Sequence, residues 1–295
     1  MQTLIGTLIN GLALGMAYAL IAVGYSMVFG VLRLINFSHG AVYAFGAYMV
    51  YFFVSLKFGL LPAILLSVLA SGILALLIDK AALEPLRKKK SMPIATLITT
   101  IGMSFIIQNF LSIEYIFSSE KKPFPSLNLF GNISIGNITI QSSQIIMLVV
   151  AILLLAVLTF IVNYTKIGLA MRATEQNSKA ANLMGINVNF VISFTFFIGG
   201  ASAAIAGSLI GGYYQVISPT MGSLIGLKAF SAAVVGGIGI LYGSVIGGLI
   251  VGVAEVLAAQ YLGSNVRDPM AFVILILILI LKPTGLFGKK GISKV

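Results

Sequence analysis

The chain has 295 residues, of which 59% are hydrophobic and only 8% are charged. A soluble domain carries roughly 25% charged residues because its surface is in water, so this composition predicts that most of the surface faces lipid. The net charge of +11 comes largely from basic clusters beside apolar stretches, as in cytoplasmic loops of membrane proteins, and this placement argues against binding to nucleic acid.

About nine apolar segments are long enough, or nearly so, to cross the membrane, since ~30 Å of hydrocarbon needs about 20 helical residues. The longer ones cover residues 4–30, 38–56, 60–79, 93–113, 142–163, 190–213 and 243–261, and the shorter ones cover 223–237 and 269–282. We therefore predict an all-α, polytopic membrane protein with eight or nine transmembrane segments, and eight if 223–237 is re-entrant. Residues 1–295 are expected to form a single transmembrane domain, whose first span is too long for a cleaved signal peptide.

The basic segments predict the orientation in the membrane. Residues 79–91, residues 164–189 and the tail after Leu281 are rich in Lys and Arg, so all three are expected to be cytoplasmic. An even number of predicted spans separates each basic segment from the next, as a shared side of the membrane requires. Three predicted spans precede the first basic segment, so the N-terminus is expected outside, and the basic tail places the C-terminus in the cytoplasm. Lys121 and Lys122 lie in a loop on the predicted outer side and do not follow the rule.

A polar segment, Arg33-Leu-Ile-Asn-Phe-Ser-His-Gly40, interrupts the apolar sequence between the first two spans. Asn36, Ser38 and His39 supply hydrogen-bonding side chains, and Gly40 permits a non-helical backbone. Such a break is tolerated at membrane depth only where it faces protein or a wet cavity. The alternative is an ordinary polar turn at the cytoplasmic interface.

A second segment of the same build, Ile217-Ser-Pro-Thr-Met-Gly222, follows the sixth span. The predicted topology runs the two units in opposite directions, as in an inverted repeat whose broken helices meet at a transport site. We therefore predict that the translocation path includes the polar residues of both breaks, namely Asn36, Ser38, His39, Ser218 and Thr220.

Residues 118–141 form the largest predicted extracytoplasmic loop. Apolar and polar residues alternate over residues 132–140 around Gly136-Asn137, which predicts a small β-hairpin. The loop is expected either to cap the helix ends or to present a docking surface to an external partner.

The polar segment 165–189 predicts a short amphipathic helix that stops at Gly185. Its apolar residues are Met171, Leu183 and Met184, its expected exposed residues are Arg172, Glu175 and Lys179, and its small residues are Ala173, Ala180 and Ala181. A small-residue face of this kind favours a helix that lies in a groove of a partner protein.

Small residues spaced by four let helices approach closely within lipid. Glycines recur at this spacing in four places, Gly11 and Gly15, Gly207 and Gly211, Gly239 to Gly247, and Gly248 and Gly252. The pattern predicts tight helix packing and specifies no activity.

Catalytic chemistry has little support in this sequence. It contains no phosphate-binding loop of the Gly-x-x-x-x-Gly-Lys-Ser/Thr type, no cysteine and one histidine, so we predict neither an enzyme nor a metal site. Glu255 and Glu114 lie in or near apolar segments, where a charge must face the bundle interior or lie near a helix end. They are expected to be hydrogen-bonded structural acids, with a proton or ion site as the alternative. A stand-alone secondary transporter or channel is therefore better supported by the sequence than a membrane enzyme.

Three blocks of the chain stand out, namely Asn36-Phe-Ser-His-Gly40 within residues 29–48, Ala181-Asn-Leu-Met-Gly-Ile186, and residues 227–239. They resemble the H-type permease subunit of branched-chain amino-acid ATP-binding-cassette importers. The resemblance covers nearly the whole chain. It implies a carrier of leucine, isoleucine and valine, although relatives in this superfamily also carry urea, short amides and other small polar solutes.

The resemblance also implies partners in a bacterial plasma (inner) membrane. These are a second, homologous permease (a heterodimer), two ATPase subunits that hold ATP and Mg²⁺, and an extracytoplasmic substrate-binding protein, with no cofactor in this chain. The segment 165–189 would be the coupling loop on an ATPase, with coupling residues Arg172, Glu175, Lys179, Ala180, Ala181 and Gly185. Lys179 stands where the related permease loop has a glutamate, and no Leu-Pro follows.

Overall fold

The computed structural model describes residues 2–288 except 116, 129, 136 and 137. The helices are α1 Gln2–Leu32, α2 Ser38–Ser55, α3 Leu60–Ile78, α4 Glu84–Lys88, α5 Pro93–Leu111, α6 Ser142–Tyr164, α7 Lys166–Gln176, α8 Ser178–Leu183, α9 Val188–Tyr214, α10 Met221–Gly236, α11 Leu241–Tyr261 and α12 Arg267–Leu281. A π-helical turn, Asp79–Leu83, joins α3 to α4, and a 3₁₀ turn, Ser264–Val266, precedes α12.

Seven helical segments of the described chain are long and apolar enough to cross a membrane. The 18-residue α2 and the 16-residue α10 complete the set of predicted segments. The prediction of an all-α, polytopic membrane protein is confirmed, with helix bounds close to those expected.

Helix α1 lies at the centre of the bundle and is buried along most of its length. It packs antiparallel to α11, because Gly11 faces Val253 whereas Gly15 faces Leu249. A Cβ atom on Gly248 would lie 2.6 Å from the backbone nitrogen of Ala19, so the two backbones touch. This is the close approach that the glycine spacing predicts.

The lipid-facing surface comes from the outer helices, which expose large apolar side chains in rows. Examples are Leu61, Leu65, Leu69 and Ile73 on α3, Ile152, Leu153 and Val157 on α6, and Ile276, Leu277 and Ile280 on α12. Water would make such a surface unstable, whereas hydrocarbon does not.

The predicted cytoplasmic segments lie at one end of the bundle. Residues of α4 and of α7 line one cavity, and the carboxyl group of Glu175 lies beside Gly30 near the end of α1. The segment after α12 reaches the same end, where the Leu286 N–H donates to the Val235 carbonyl at 2.9 Å. This common location is what the even span counts require, and the absolute orientation stays a prediction. Lys289, Lys290 and Lys294 of the basic tail lie outside the described residues.

The loop of residues 118–141 folds against the opposite end of the bundle. Strands β2 Ile133–Ile135 and β3 Ile138–Ile140 form the expected hairpin, although its turn, Gly136-Asn137, lies outside the described residues. Strand β1 Lys122–Pro123 pairs antiparallel with β4 Val216–Ile217, directly before α10. The loop therefore caps helix ends, which leaves the docking surface as a further prediction.

Candidate translocation groove and coupling surface

The two predicted breaks meet where α2 and α10 begin. A Cβ atom on Gly40 would overlap the carbonyl oxygen of Gly222, and a Cβ on Gly222 would overlap the carbonyl oxygen of Gly40. A Cβ on Gly226 would lie 2.8 Å from the Cα of Gly40. Only glycine allows these backbones to cross at this distance, so the contact between the breaks runs through glycine backbone.

The first break is buried and has its own hydrogen bonds. The side-chain oxygen of Asn36 accepts from the Ser38 N–H at 3.1 Å and from the Ser38 hydroxyl at 2.5 Å. The Phe37 N–H donates to the Thr100 hydroxyl oxygen of α5 at 3.2 Å. Because Asn36 and Ser38 are both buried, the break faces protein, which disfavours an ordinary turn at the interface.

His39, in the first turn of α2, packs against α1. It is 3% exposed, and its ring lies edge-on to Tyr25 with 4.8 Å between the ring centroids. A Cβ on Gly24 would overlap His39 Nε2, so the missing side chain of Gly24 makes the space for this ring. The position suits an anchor that holds α2 against α1, and a direct role of His39 in the path stays a prediction.

The second break starts α10. Ser218 is partly exposed, Thr220 is exposed, and Ile217 between α9 and α10 is buried. The Thr220 carbonyl accepts from the Ser223 N–H at 3.1 Å and from the Ser223 hydroxyl at 2.7 Å. These bonds fix the first turn of α10, on which Ser223 is exposed.

We call the contact of Gly40 on α2 with Gly222 and Gly226 on α10 the glycine crossing. A groove of about 270 Å³ lies beside it. Its lining comprises Tyr25, Phe37, Ile101, Ser104, Phe105, Gln108, Gly222, Ser223, Gly226 and Leu227. None of these described lining residues is charged, and most of their side chains are apolar. The groove can therefore accept a small molecule with an apolar part and a polar part that hydrogen-bonds to a few neutral groups.

The predicted path residues Asn36, Ser38, His39, Ser218 and Thr220 are not among these lining residues, but Phe37 and Gly222 of the two breaks are. Sequence reasoning missed the contribution of α5. A signal was present, since Ile101, Ser104, Phe105 and Gln108 recur at helical spacing on one face, with two polar residues four positions apart.

The coupling segment differs from the single helix that we predicted. It consists of α7 and α8, separated at Asn177, whose backbone is extended with φ −158°. The Asn177 side-chain oxygen accepts from the backbone N–H groups of Lys179 and Ala180, at 3.0 Å each. The prediction was wrong here because asparagine is a strong N-cap and starts a new helix.

An apolar tip ends this segment. Leu183 and Met184 are 87% and 84% exposed, and Gly185 follows with φ +85°, a conformation that favours glycine. Ala181 is buried whereas Ala180 is exposed, so the small residues do not form one free face. Two large apolar side chains held in water at a helix end indicate a contact with another protein.

Two charged coupling residues lie closer to the bundle than α8. Arg172 was expected to be exposed, but it is half-buried and donates to the Val162 carbonyl. The reason is that a cation satisfies the free carbonyls at the end of α6. Glu175 and Lys179 are exposed as predicted. Desolvation beside Gly30 raises the pKa of the Glu175 carboxyl, while the charge of Arg33 acts in the opposite direction.

Glu255 is the centre of a buried ion-pair network. It is 1% exposed and accepts from Lys228 Nζ and Arg267 Nε, at 2.9 Å each, and from the Tyr18 hydroxyl at 3.0 Å. Lys228 also donates to Asp268 at 2.6 Å. The network joins α1, α10, α11 and α12, so Glu255 is a hydrogen-bonded structural acid.

Glu114 lies beyond the end of α5 and is exposed. Within the described part of the chain, no group of three or more His, Cys, Asp or Glu could hold a metal ion.

Membrane-length helices, a neutral groove and an exposed apolar tip at one end are the features expected of a polytopic transport permease. The chain matches the family described as branched-chain amino acid transport system permease component over residues 7–281. It is 40% identical to the high-affinity branched-chain amino acid transport system permease protein BraD of Pseudomonas aeruginosa, over 98% of this chain and 97% of the relative. It is 39% identical to the corresponding protein LivH of Escherichia coli, over 97% and 96%.

A probable branched-chain amino acid transport permease protein LivH of Methanocaldococcus jannaschii is 30% identical over 91% of this chain and 88% of the relative. The chain therefore belongs to the family of branched-chain amino acid transport permease components, and the resemblance seen in the sequence is confirmed. It is a multi-pass protein of the inner membrane. Its homologues are named as permease proteins of transport systems, so this family consists of transport subunits and not of enzymes.

Proposed function

We propose that this chain forms one half of the transmembrane path of an ATP-driven importer of leucine, isoleucine and valine. The observation that carries the proposal is the neutral groove at the glycine crossing of α2 and α10, in a chain whose relatives are named for branched-chain amino acids. An aliphatic side chain suits the walls at Ile101, Phe105 and Leu227. Urea and short amides would leave these apolar walls in contact with water.

The residues of the two breaks have supporting roles in this proposal. Asn36 and Ser38 hold the start of α2, His39 locks it to α1, and Ser218 and Thr220 set the start of α10. Ser104, Gln108 and Ser223 offer hydrogen bonds to the passing substrate. The groove needs no tight site, because the binding protein supplies selectivity before delivery.

The proposed assembly is a heterodimer of this chain with a homologous permease, two ATPase subunits with ATP and Mg²⁺, and an extracytoplasmic binding protein. The tip at Leu183 and Met184 docks on an ATPase, and the N-terminus lies outside. ATP binding draws the ATPases together and moves α7 and α8, which pack on α1, α6 and α9. The loop of residues 118–141 is tied to the start of α10 through β1 and β4, so docking of the binding protein acts on the groove from the other end.

A bulky side chain in the groove is expected to block transport. Ser223→Phe should lower ATP-dependent leucine uptake into reconstituted vesicles by about tenfold or more, which corresponds to ~1.4 kcal/mol or more in the barrier. Thermal stability in detergent should change little, because Ser223 is exposed.

Ser55→Phe is the matched control. Ser55 is also an exposed helical serine whose hydroxyl donates to the carbonyl three residues earlier, at 2.7 Å, but it does not line the groove. Equal uptake in the two variants would contradict the assignment of the path. Uptake that persists without ATP would favour a stand-alone transporter instead.

The apolar tip is expected to be required for the ATPase contact. Leu183→Asp with Met184→Asp should remove leucine uptake and co-purification with the ATPase, because both side chains would leave the partner's apolar surface uncovered. The melting temperature of the chain alone should stay within a few degrees, since these side chains are almost fully exposed. Retained co-purification with normal uptake would show that the coupling contact lies elsewhere.

A further inference from the structure

A cavity of about 560 Å³ lies at the coupling end of the bundle, between the end of α4, the start of α5, the helices α7 and α8, and the start of α9. Three cationic residues line it, Arg87, Lys88 and Lys90. Thr174 of α7 and Ser178 of α8 belong to the same lining. The cavity therefore combines concentrated positive charge with hydrogen-bonding groups from both coupling helices.

Arg87 is held in one orientation but is only partly paired. Its Nη1 donates to Asp79 at 2.5 Å, and Asp79 is fixed in turn by the Ser193 hydroxyl, which donates at 2.7 Å. Nε and Nη2 of Arg87 are buried and have no hydrogen-bond partner among the described residues. Because these two nitrogens are closed off from solvent, Arg87 contributes its positive charge to the cavity wall, and the direct contacts with a ligand fall to its neighbours.

Two neighbouring lysines, Lys88 and Lys90, also line the cavity. Lys88 is paired with Glu84 at 3.0 Å but remains largely exposed, and Lys90 has no ion pair in the part of the chain that the structure describes. Lys90 also has φ +51°, a conformation that costs energy in a residue with a side chain and that sharply turns the chain after α4. A phosphate group is the ligand chemistry that two flexible lysines favour beside a fixed guanidinium charge.

We propose that this cavity binds a phosphate-bearing anion, either the headgroup of an anionic lipid or a soluble phosphate compound, and that the bound anion braces α7 and α8. Binding itself does not depend on the proposed function, whereas the effect on coupling rests on it. The apolar residues Val31, Leu32 and Ile192 in the same lining accommodate the organic part of such a ligand. The volume exceeds what a bare phosphate ion fills.

Lys90→Gln and Lys88→Gln test the site, and Lys89→Gln is their matched control. All three variants remove one exposed positive charge from the same run, but Lys89 does not line the cavity. The full-length chain is placed in nanodiscs of phosphatidylcholine, with or without phosphatidylglycerol. Retained phosphatidylglycerol is counted by native mass spectrometry, and binding of inorganic pyrophosphate to the phosphatidylcholine discs is measured by calorimetry.

The Lys88 and Lys90 variants are expected to bind at least one probe about tenfold more weakly than the wild type, since charge-assisted hydrogen bonds are lost. Lys89→Gln should bind within about twofold. Binding of phosphatidylglycerol alone identifies a lipid as the source, and binding of pyrophosphate identifies a soluble ligand. Amide hydrogen exchange over residues 174–184 should slow when the probe is bound, and should not change in Lys90→Gln.

Three results would overturn the proposal, and a fourth would remove one part of it. Equal weakening in all three variants would mean general attraction to a basic surface, and absence of binding by both probes would mean that no site exists. Loss of the probe when the chain is purified with its ATPase would mean that an acidic segment of that protein fills the cavity. Binding without slower exchange in α7 and α8 would leave the anion site and remove its bracing role. None of these measurements depends on leucine uptake, so they fail separately from the proposed function.

Discussion

Gly222→Ala is expected to abolish leucine uptake and to destabilise the bundle. The added methyl group would overlap the carbonyl oxygen of Gly40 and would come within 3.0 Å of the Ala44 methyl group. Both α2 and α10 would have to separate, because backbone atoms cannot rotate away as the end of a side chain can. Overpacking of this kind costs about 1–3 kcal/mol, and the separation also widens the groove beside the crossing.

The matched control is Gly102→Ala on α5, where a Cβ atom would meet nothing within 4 Å. Alanine is favoured over glycine inside a helix by about 1 kcal/mol, so this control should be neutral or slightly stabilised. The two variants are compared by thermal unfolding in one detergent and by uptake into vesicles. A Gly222→Ala protein as stable and as active as Gly102→Ala would show that the two breaks are not in contact.

Glu255→Gln is expected to destabilise the protein by about 3 kcal/mol, the lower end of the usual cost of removing one partner from a buried ion pair. The change keeps the shape of the side chain and removes only the charge, which faces Lys228 and Arg267 at 2.9 Å each. Lys228, itself 2% exposed, would keep only Asp268 as an acidic partner. The expected readout is a large fall in the unfolding temperature.

Glu84→Gln provides the control, because Glu84 also binds two lysines, Lys80 at 2.8 Å and Lys88 at 3.0 Å. These lysines are largely exposed, so the loss should not exceed about 1 kcal/mol. A second variant, Lys228→Met with Glu255→Gln, should recover part of the stability, since the buried lysine that lost its buried acidic partner is then also removed. Equal effects of Glu255→Gln and Glu84→Gln would mean that water reaches the network and screens it.

Helix α10 connects these two expectations. One part of its surface carries Gly222, Ser223 and Gly226 at the groove, and another carries Lys228, which is bound to α11 and α12. The ion pairs fix α10 to the two helices that follow it, while the glycines leave it close to α2 without interlocking side chains. We infer that α10 moves together with α11 and α12 when the groove opens and closes.

The sequence was informative wherever one local property decides the outcome. Apolar length predicted the helices, alternation predicted the hairpin of β2 and β3, and glycine spacing predicted close helix packing of the kind seen between α1 and α11. It was misleading at Asn177 and Arg172. There, one side chain interacts with backbone groups of its own segment or of the preceding helix, and such a bond does not alter the apolar pattern on which the prediction relied.

The sequence by itself determined that this is a multi-pass helical membrane protein and which family it belongs to, because hydrophobic length and short motifs are local and survive in the linear order. Only the tertiary structure decided that Gly40 meets Gly222, that α5 supplies one wall of the groove, and that Glu255 is paired with Lys228 and Arg267. Each of these contacts joins helices far apart in the chain. Their pairing depends on how the helices pack as a set, and no local pattern records that packing.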